Sequence, residues 1–190
     1  MRYRLIASSI AAAFLTAGTI VYSQAGATQK PAPPKAAAQD DAALIKSAMA
    51  AAPMEISKDA TIVNAEMKVI RQGTNGWTCM PDMAHTPGTD PMCMDKNGME
   101  WVHAWANKKD PPKGKMGIGY MLMGGSDASN TDPFATKPAA GGKWVDTGPH
   151  LMVMNIGDSF AGYPTTATNT KVPYVMFPGT PYAHLMIPIK

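Results

Sequence analysis

The chain has 190 residues, and its 17 Lys and Arg exceed its 14 Asp and Glu by only three. With so small a net charge and no basic patch interleaved with aromatic residues, the composition argues against nucleic-acid binding. The length suits one domain with a buried core. Sixteen methionines are an unusual number, and they fit two interpretations: adaptable filling of a core or thioether ligands for a soft metal ion.

The N-terminus has the pattern of an export signal. Arg2 and Arg4 form a positive region, residues 5–21 are uncharged and apolar, and Ser23-Gln24-Ala25 offers small residues at a cleavage site. We therefore predict a signal peptide over residues 1–25 and a periplasmic or secreted protein; an uncleaved membrane anchor is the alternative. Cleavage would remove two of the 17 basic residues and leave 15 against 14 acidic ones, a net charge near +1.

A flexible linker and one folded domain are predicted after the signal. Residues 26–39 are rich in Ala, Pro and Lys, which is typical of a disordered or extended tether. The domain is expected over residues 40–190, with its core over 54–189. Asp40 or Asp41 is suited to cap a first helix that runs to about residue 52 and stops before a proline.

Short strands and a disulfide are predicted next. Residues 60–72 contain one or two strands, and the turn signal Thr74-Asn75-Gly76 predicts a hairpin with a strand over residues 77–80. Two cysteines in an exported protein most simply pair, so we predict a Cys79–Cys93 disulfide. Closing a loop of about 13 residues contributes about 3 kcal/mol by the chain-entropy argument.

A second helix and a glycine-containing strand follow. Asp95 is suited to cap a helix through about residue 107, in which Trp101 and Trp105 lie four apart and share a face. Residues 116–124 form a short apolar run with glycines at alternate early positions. That pattern predicts a buried strand to which another backbone or a bulky side chain comes close.

The last third of the chain predicts further strands. Residues 144–145 and 150–155 have strand character, and two apolar runs flank Pro178-Gly179-Thr180-Pro181 as a hairpin. These elements together predict an α+β fold: one compact domain with a largely antiparallel, twisted sheet and two helices.

The pattern His-Leu-Met occurs twice, ending at Met152 and at Met186. Residues two apart in a strand point to the same face, so each copy places an imidazole beside a thioether. If the two strands are neighbours, His150, Met152, His184 and Met186 bring together ligands that suit Cu(I), with Met154 as a further donor. The simpler interpretation is that these residues only pack in buried strands.

Other metal sites and enzyme sites have weaker support. A blue-copper centre built on Cys79, Met83 and His85 lacks a histidine before the cysteine in the mature chain, and Cys93 competes for the thiol. No H-E-x-x-H or G-x-S-x-G motif is present. Paired aspartates, Asp82 with Asp90 and Asp127 with Asp132, are expected to be solvated, as most aspartates are. Whether the protein is an enzyme is left open.

A small-ligand pocket is the alternative to copper. Aromatic residues on the second helix and in the last hairpin are candidates to line it, namely His103, Trp101, Trp105 and Tyr182. If His150 and His184 open into such a pocket, they would bind an anion or transfer protons. A third interpretation is an interaction module in which the aromatic residues and methionines only pack.

Five sequence motifs resemble those of an uncharacterised family of exported bacterial proteins. The motifs are GWTCMP, DPMC, SNTDP, TGPHLM and PYAHLM, and the resemblance spans about residues 54–189. It implies an exported bacterial origin and these domain limits, and it carries no activity. The His-x-Met pairs are also similar to the end of the ligand motif in periplasmic copper chaperones of the cupredoxin-like PCuAC type. The spacing and flanking residues differ, so this second similarity is chemical.

Overall fold

An eight-stranded sheet forms the centre of the fold, in the strand order β2-β1-β3-β4-β5-β8-β10-β9. The computed structural model describes residues 40–82 and 85–189, so the predicted signal peptide, the linker and Met83 lie outside the described residues. All strand pairs in this sheet are antiparallel except β1 with β3. The predicted α+β class with a largely antiparallel sheet is confirmed.

The strands are short, three to five residues each. The large sheet contains β1 (Thr61–Val63), β2 (Val69–Arg71), β3 (Thr78–Met80), β4 (Met92–Met94), β5 (Gly117–Met121), β8 (His150–Met154), β9 (Tyr174–Met176) and β10 (His184–Pro188). A separate two-stranded ribbon pairs β6 (Gly125–Asp127) with β7 (Val145–Thr147).

The described residues form three α-helices, one more than predicted. The first, α1 (Asp41–Met49), is capped by Asp40, whose carboxylate accepts a hydrogen bond from the Ala42 amide at 3.1 Å. It ends sooner than expected, and a one-turn helix, α2 (Met54–Ser57), follows Pro53. The predicted second helix is α3 (Lys96–Ala106), and the Asp95 carboxylate caps it by accepting from the Gly98 amide at 2.7 Å. Within the described ranges, no helix is long and apolar enough to cross a membrane.

The hairpin predicted around residues 74–76 is wrong, because β2 and β3 do not pair. Strand β1 lies between them, antiparallel to β2 and parallel to β3. The segment between β2 and β3 is instead bonded to the residues just before β1: the Thr74 amide donates to the Asp59 carbonyl at 2.8 Å. The Arg71 guanidinium donates to the carbonyls of Ser57 at 2.6 Å and Ala60 at 3.0 Å. These contacts are long-range, so the turn signal alone could not reveal them.

The last hairpin is confirmed, with β9 and β10 antiparallel and residues 177–183 between them. A short 3-10 helix, Gly157–Phe160, interrupts the long polar connection before it. The expected cysteine pair is also present. Cys79 and Cys93 are directly opposed on β3 and β4, fully buried, and paired at disulfide distance.

The two faces of the sheet bury different side chains. On the first face, α1 supplies small residues such as Ala48 that pack with Ile62 and the paired cysteines. On the second face, α3 covers a core rich in thioethers. The methionines of that core are Met80, Met92, Met94, Met99, Met121, Met152, Met154, Met176 and Met186. The sheet therefore separates the paired cysteine sulfurs from these nine methionine sulfurs, whereas Met49 of α1 packs on the cysteine face.

Gly117, one of the glycines at alternate positions of β5, is required because α3 lies close to that strand. A Cβ on Gly117 would lie 2.6 Å from the Gly98 amide nitrogen and 2.7 Å from its Cα. Both contacts are to backbone, which cannot move aside cheaply. We expect Gly117→Ala to lower the free energy of unfolding by about 2 kcal/mol, as overpacking of a core commonly does.

Urea unfolding measures this difference. Gly148→Ala is the matched control, since a Cβ there meets no atom within 4 Å. Equal stabilities for the two variants would contradict the packing argument.

Candidate functional site

The two His-Leu-Met copies lie on neighbouring antiparallel strands, β8 and β10. Met152 is directly opposite Met186, while His184 is opposite Met154 and His150 is opposite Pro188. Directly opposed residues of an antiparallel pair share a face. All four candidate ligands therefore lie on the α3 face. The register gives a local two-fold arrangement: the two methionine positions are opposed at its centre, and one histidine position lies at each end.

The two imidazoles are held in the same way. Nδ1 of His150 is 2.8 Å from the Gly148 carbonyl oxygen, and Nδ1 of His184 is 3.0 Å from the Tyr182 carbonyl oxygen. A carbonyl only accepts, so Nδ1 carries the proton in each ring, and Nε2 of the neutral ring has a free lone pair. Nε2 of His150 is buried without a hydrogen-bond partner among the described residues. Such a nitrogen is a candidate metal ligand.

Both rings are buried, with exposed fractions of 3% for His150 and 2% for His184. Burial lowers the pKa of His184 to about 4, against the opposing effect of its bond to the Tyr182 carbonyl, and the charge of His150 lowers that pKa further. Burial likewise lowers the pKa of His150. At neutral pH, both rings are therefore neutral and able to bind a cation through Nε2.

The histidines are not adjacent. Their register positions differ by four residues, which separates their Cα atoms by about 14 Å along the strands at 3.4 Å per residue. Met152 and Met186 occupy the space between them.

An aromatic layer covers the His184 end. The Trp101 ring centroid lies 5.2 Å from that of His184, and the Phe177 centroid lies 5.5 Å from it. Trp101 also stacks on Trp105 at 6.3 Å and meets Tyr182 edge-on at 6.2 Å. Three of the predicted pocket residues thus pack against one another and shield His184 from water.

The fourth predicted pocket residue, His103, is exposed on α3. It borders an open concavity together with Glu100 and Asp110. The aromatic residues of the layer are held elsewhere: Trp105 Nε1 donates to the Pro133 carbonyl at 2.8 Å, and the Tyr182 hydroxyl donates to the Lys109 carbonyl at 3.0 Å.

A group of acidic residues near β6 differs from the solvated pairs that the sequence predicted. Burial, followed by the charge of Asp90, raises the pKa of Asp127 to about 6. Burial is also the main cause that raises the pKa of Asp90 to about 6, and its amide donates to Asp82 at 3.0 Å. The Tyr174 hydroxyl is buried without a partner among the described residues, and burial with the Asp127 charge raises its pKa. No local sequence signal distinguishes these aspartates from exposed ones.

The competing metal sites receive no support from the geometry. Cys79 is paired with Cys93, so neither offers a thiolate, and His85 is exposed. Over residues 40–82 and 85–189, no three His, Cys, Asp or Glu side chains come together as a metal site. A metal centre in this part of the chain would therefore depend on methionine.

Comparison of the chain with protein-family models, curated proteins and solved structures finds no match.

Histidine titration tests the state of the site. We expect the His184 ring to stay neutral until about pH 4, and the His150 ring to titrate below the ordinary value of 6.5, because burial penalises the cation. Long-range proton–nitrogen NMR spectra should show both rings protonated at Nδ1. A ring that titrates near pH 6.5, or that carries its proton on Nε2, would contradict this geometry.

Asp127→Asn tests the buried carboxylate. The pKa of Asp127 is raised from 3.8 unfolded to about 6 folded, so the folded state loses stability as pH rises through that window. We expect the Asn variant to be more stable than wild type by about 1 kcal/mol at pH 8, after allowance for partial exposure, and no more stable at pH 3.5.

Unfolding by urea at both pH values is the measurement, with the exposed Asp146→Asn as control. A gain that is the same at both pH values would argue against a titrating carboxylate.

Proposed function

We propose that this is an exported protein that binds Cu(I) through His150, Met152, His184 and Met186. The supporting observation is the register of β8 and β10, which opposes Met152 to Met186 and flanks them with His150 and His184. Two thioethers and two imidazoles are donors that Cu(I) prefers.

The chemistry of the site favours the cuprous ion over harder ions. Both imidazoles are neutral, both thioethers are buried, and the exposed fraction of Met186 is 2%. Divalent ions such as Zn²⁺ and Cu²⁺ favour imidazole with thiolate or oxygen ligands, and thioethers suit them less well. A buried site of low charge also limits oxidation of a bound Cu(I) by excluding water.

Export is supported by the N-terminal sequence and by the cysteines. Arg2, Arg4 and the uncharged residues 5–21 have the order of a signal peptide. The buried pair Cys79–Cys93 suits an oxidising compartment, where free thiols are scarce. In such a compartment, methionine takes the part that cysteine plays in cytosolic copper binding.

The small-ligand alternative has less support. Two open concavities border the loop around residues 128–145 and the exposed end of α3, and neither is lined by His150 or His184. Trp101, Trp105 and Tyr182 fill their space by packing together. A pocket at those residues would first require the aromatic layer to open.

Cu(I) titration under anaerobic conditions, against a chromophoric competing chelator, tests the proposal. We expect wild type to bind one Cu(I), and Met152→Leu/Met186→Leu to lose at least a hundredfold in affinity, because leucine keeps the volume but removes both sulfur donors. Affinities for Zn²⁺ and Cu²⁺ should be weaker than for Cu(I). Metal analysis of protein purified from the periplasm should find copper.

The matched control is Met80→Leu/Met92→Leu, a directly opposed methionine pair on β3 and β4 of the same face. The imidazoles are tested by His150→Ala/His184→Ala, with the exposed His103→Ala as control. Wild type that fails to bind Cu(I), or site variants that bind as tightly as wild type, would overturn the proposal.

A further inference from the structure

A row of side chains crosses the sheet at the centre of the proposed site. Met94 on β4 is opposite Gly119 on β5, which is opposite Met152 on β8, which is opposite Met186 on β10. Opposed residues share a face, so all four positions point toward α3. The row places a third methionine in line with the Met152–Met186 pair and interrupts it only by a glycine.

Gly119 leaves a gap that Met94 and Met152 enter from opposite sides. A Cβ at Gly119 would lie 2.5 Å from Met94 Sδ, 3.1 Å from Met94 Cε and 2.9 Å from Met152 Cε. Real Cβ atoms do not come as close as the 2.5 Å and 2.9 Å contacts, so a side chain at position 119 would have to displace Met94 or Met152. The Met94 thioether therefore lies over β5, reaching from its own strand toward Met152, because the strand between them carries no side chain there.

Met154 provides the contrast. It is on the same face and as fully buried as Met94, with exposed fractions of 0% and 1%. Its terminal methyl points differently: a Cβ on Gly98, in the first turn of α3, would lie 3.2 Å from Met154 Cε. Met154 is thus directed toward the helix, whereas Met94 is directed along the row.

We propose that Met94 is a third thioether ligand of the bound Cu(I), which takes the place of one of the two imidazoles because Cu(I) binds at most four ligands, and that Gly119 is the position that admits it. This inference rests on the proposed Cu(I) site and deepens it. A third soft sulfur, in addition to Met152 and Met186, strengthens the preference for Cu(I) over harder ions. Any side chain at position 119 would separate Met94 from the other two.

X-ray absorption at the copper edge distinguishes a ligand from a residue that only packs, because it counts the sulfur atoms bound to copper. We expect three sulfurs in the wild-type Cu(I) complex and two in Met94→Leu, with at least tenfold weaker Cu(I) binding in that variant. Met154→Leu, the matched control, should keep three sulfurs and wild-type affinity. Gly119→Ala should resemble Met94→Leu in both measurements, while all three variants unfold cooperatively in urea.

The outcomes separate the two proposals. Wild type that binds Cu(I) with two sulfurs, or Met94→Leu that keeps the wild-type sulfur count, would overturn the role of Met94 and leave the proposed function standing. Wild type that binds no Cu(I) would overturn both. If a variant does not fold, wild type with labelled methionine methyl groups is studied by NMR in its place. Addition of Cu(I) should shift the methyl signal of Met94 and leave that of Met154 unchanged. A shift of Met154 without a shift of Met94 would overturn the inference.

Discussion

The register of β8 against β10 is the constraint on which the candidate site depends. Side chains alternate between faces along a strand, so a slip by one residue would turn one His-Leu-Met copy toward α1 and leave the other toward α3. The observed register opposes Met152 to Met186. On its other edge β8 pairs with β5, and that register places Met152 opposite Gly119. Two neighbouring strands thus hold one methionine at the centre of the face.

Placing His150 and His184 in this core has an energetic cost that leucine would not have. A buried imidazole needs hydrogen-bond partners, and each ring finds one in the carbonyl two residues before it, which satisfies Nδ1 and no more. Nε2 of His150 is left buried without a partner among the described residues. Packing alone gives no reason to retain such a nitrogen, since an apolar side chain of similar size would fill the space. An unpartnered imidazole nitrogen on the same face of the sheet as Met152 and Met186 supports the proposed metal site.

Local patterns in the sequence predicted most of the elements, but not the one-turn helix α2 and not the contacts between distant segments. Asp95 capping a helix and the last hairpin follow from neighbouring residues, and the Cys79–Cys93 pair follows from two cysteines in a chain with an export signal; the structure has all three. The position of β1 between β2 and β3 depends on Arg71 and on carbonyls far from it in sequence, which no turn signal contains. The alternation in each His-Leu-Met copy predicts that its imidazole and thioether share a face. Whether the two copies face each other depends on pairing, and the place of Met94 depends on a glycine one strand away.

The paired cysteines and the methionines of the proposed site lie on opposite faces of the sheet. Cys79 and Cys93 pair on the α1 face among alanines and Ile62, where they close a loop and offer no thiolate. Met94, Met152 and Met186 lie on the α3 face. Thiolates bind Cu(I) more strongly than thioethers do and also exchange with disulfides, so a cysteine beside the methionines would compete for the ion and be open to oxidation. The disulfide closes a loop on one face, while a soft ion bound on the other face would meet thioethers and neutral imidazoles. That arrangement supports the proposal of a copper-binding protein outside the cytoplasm.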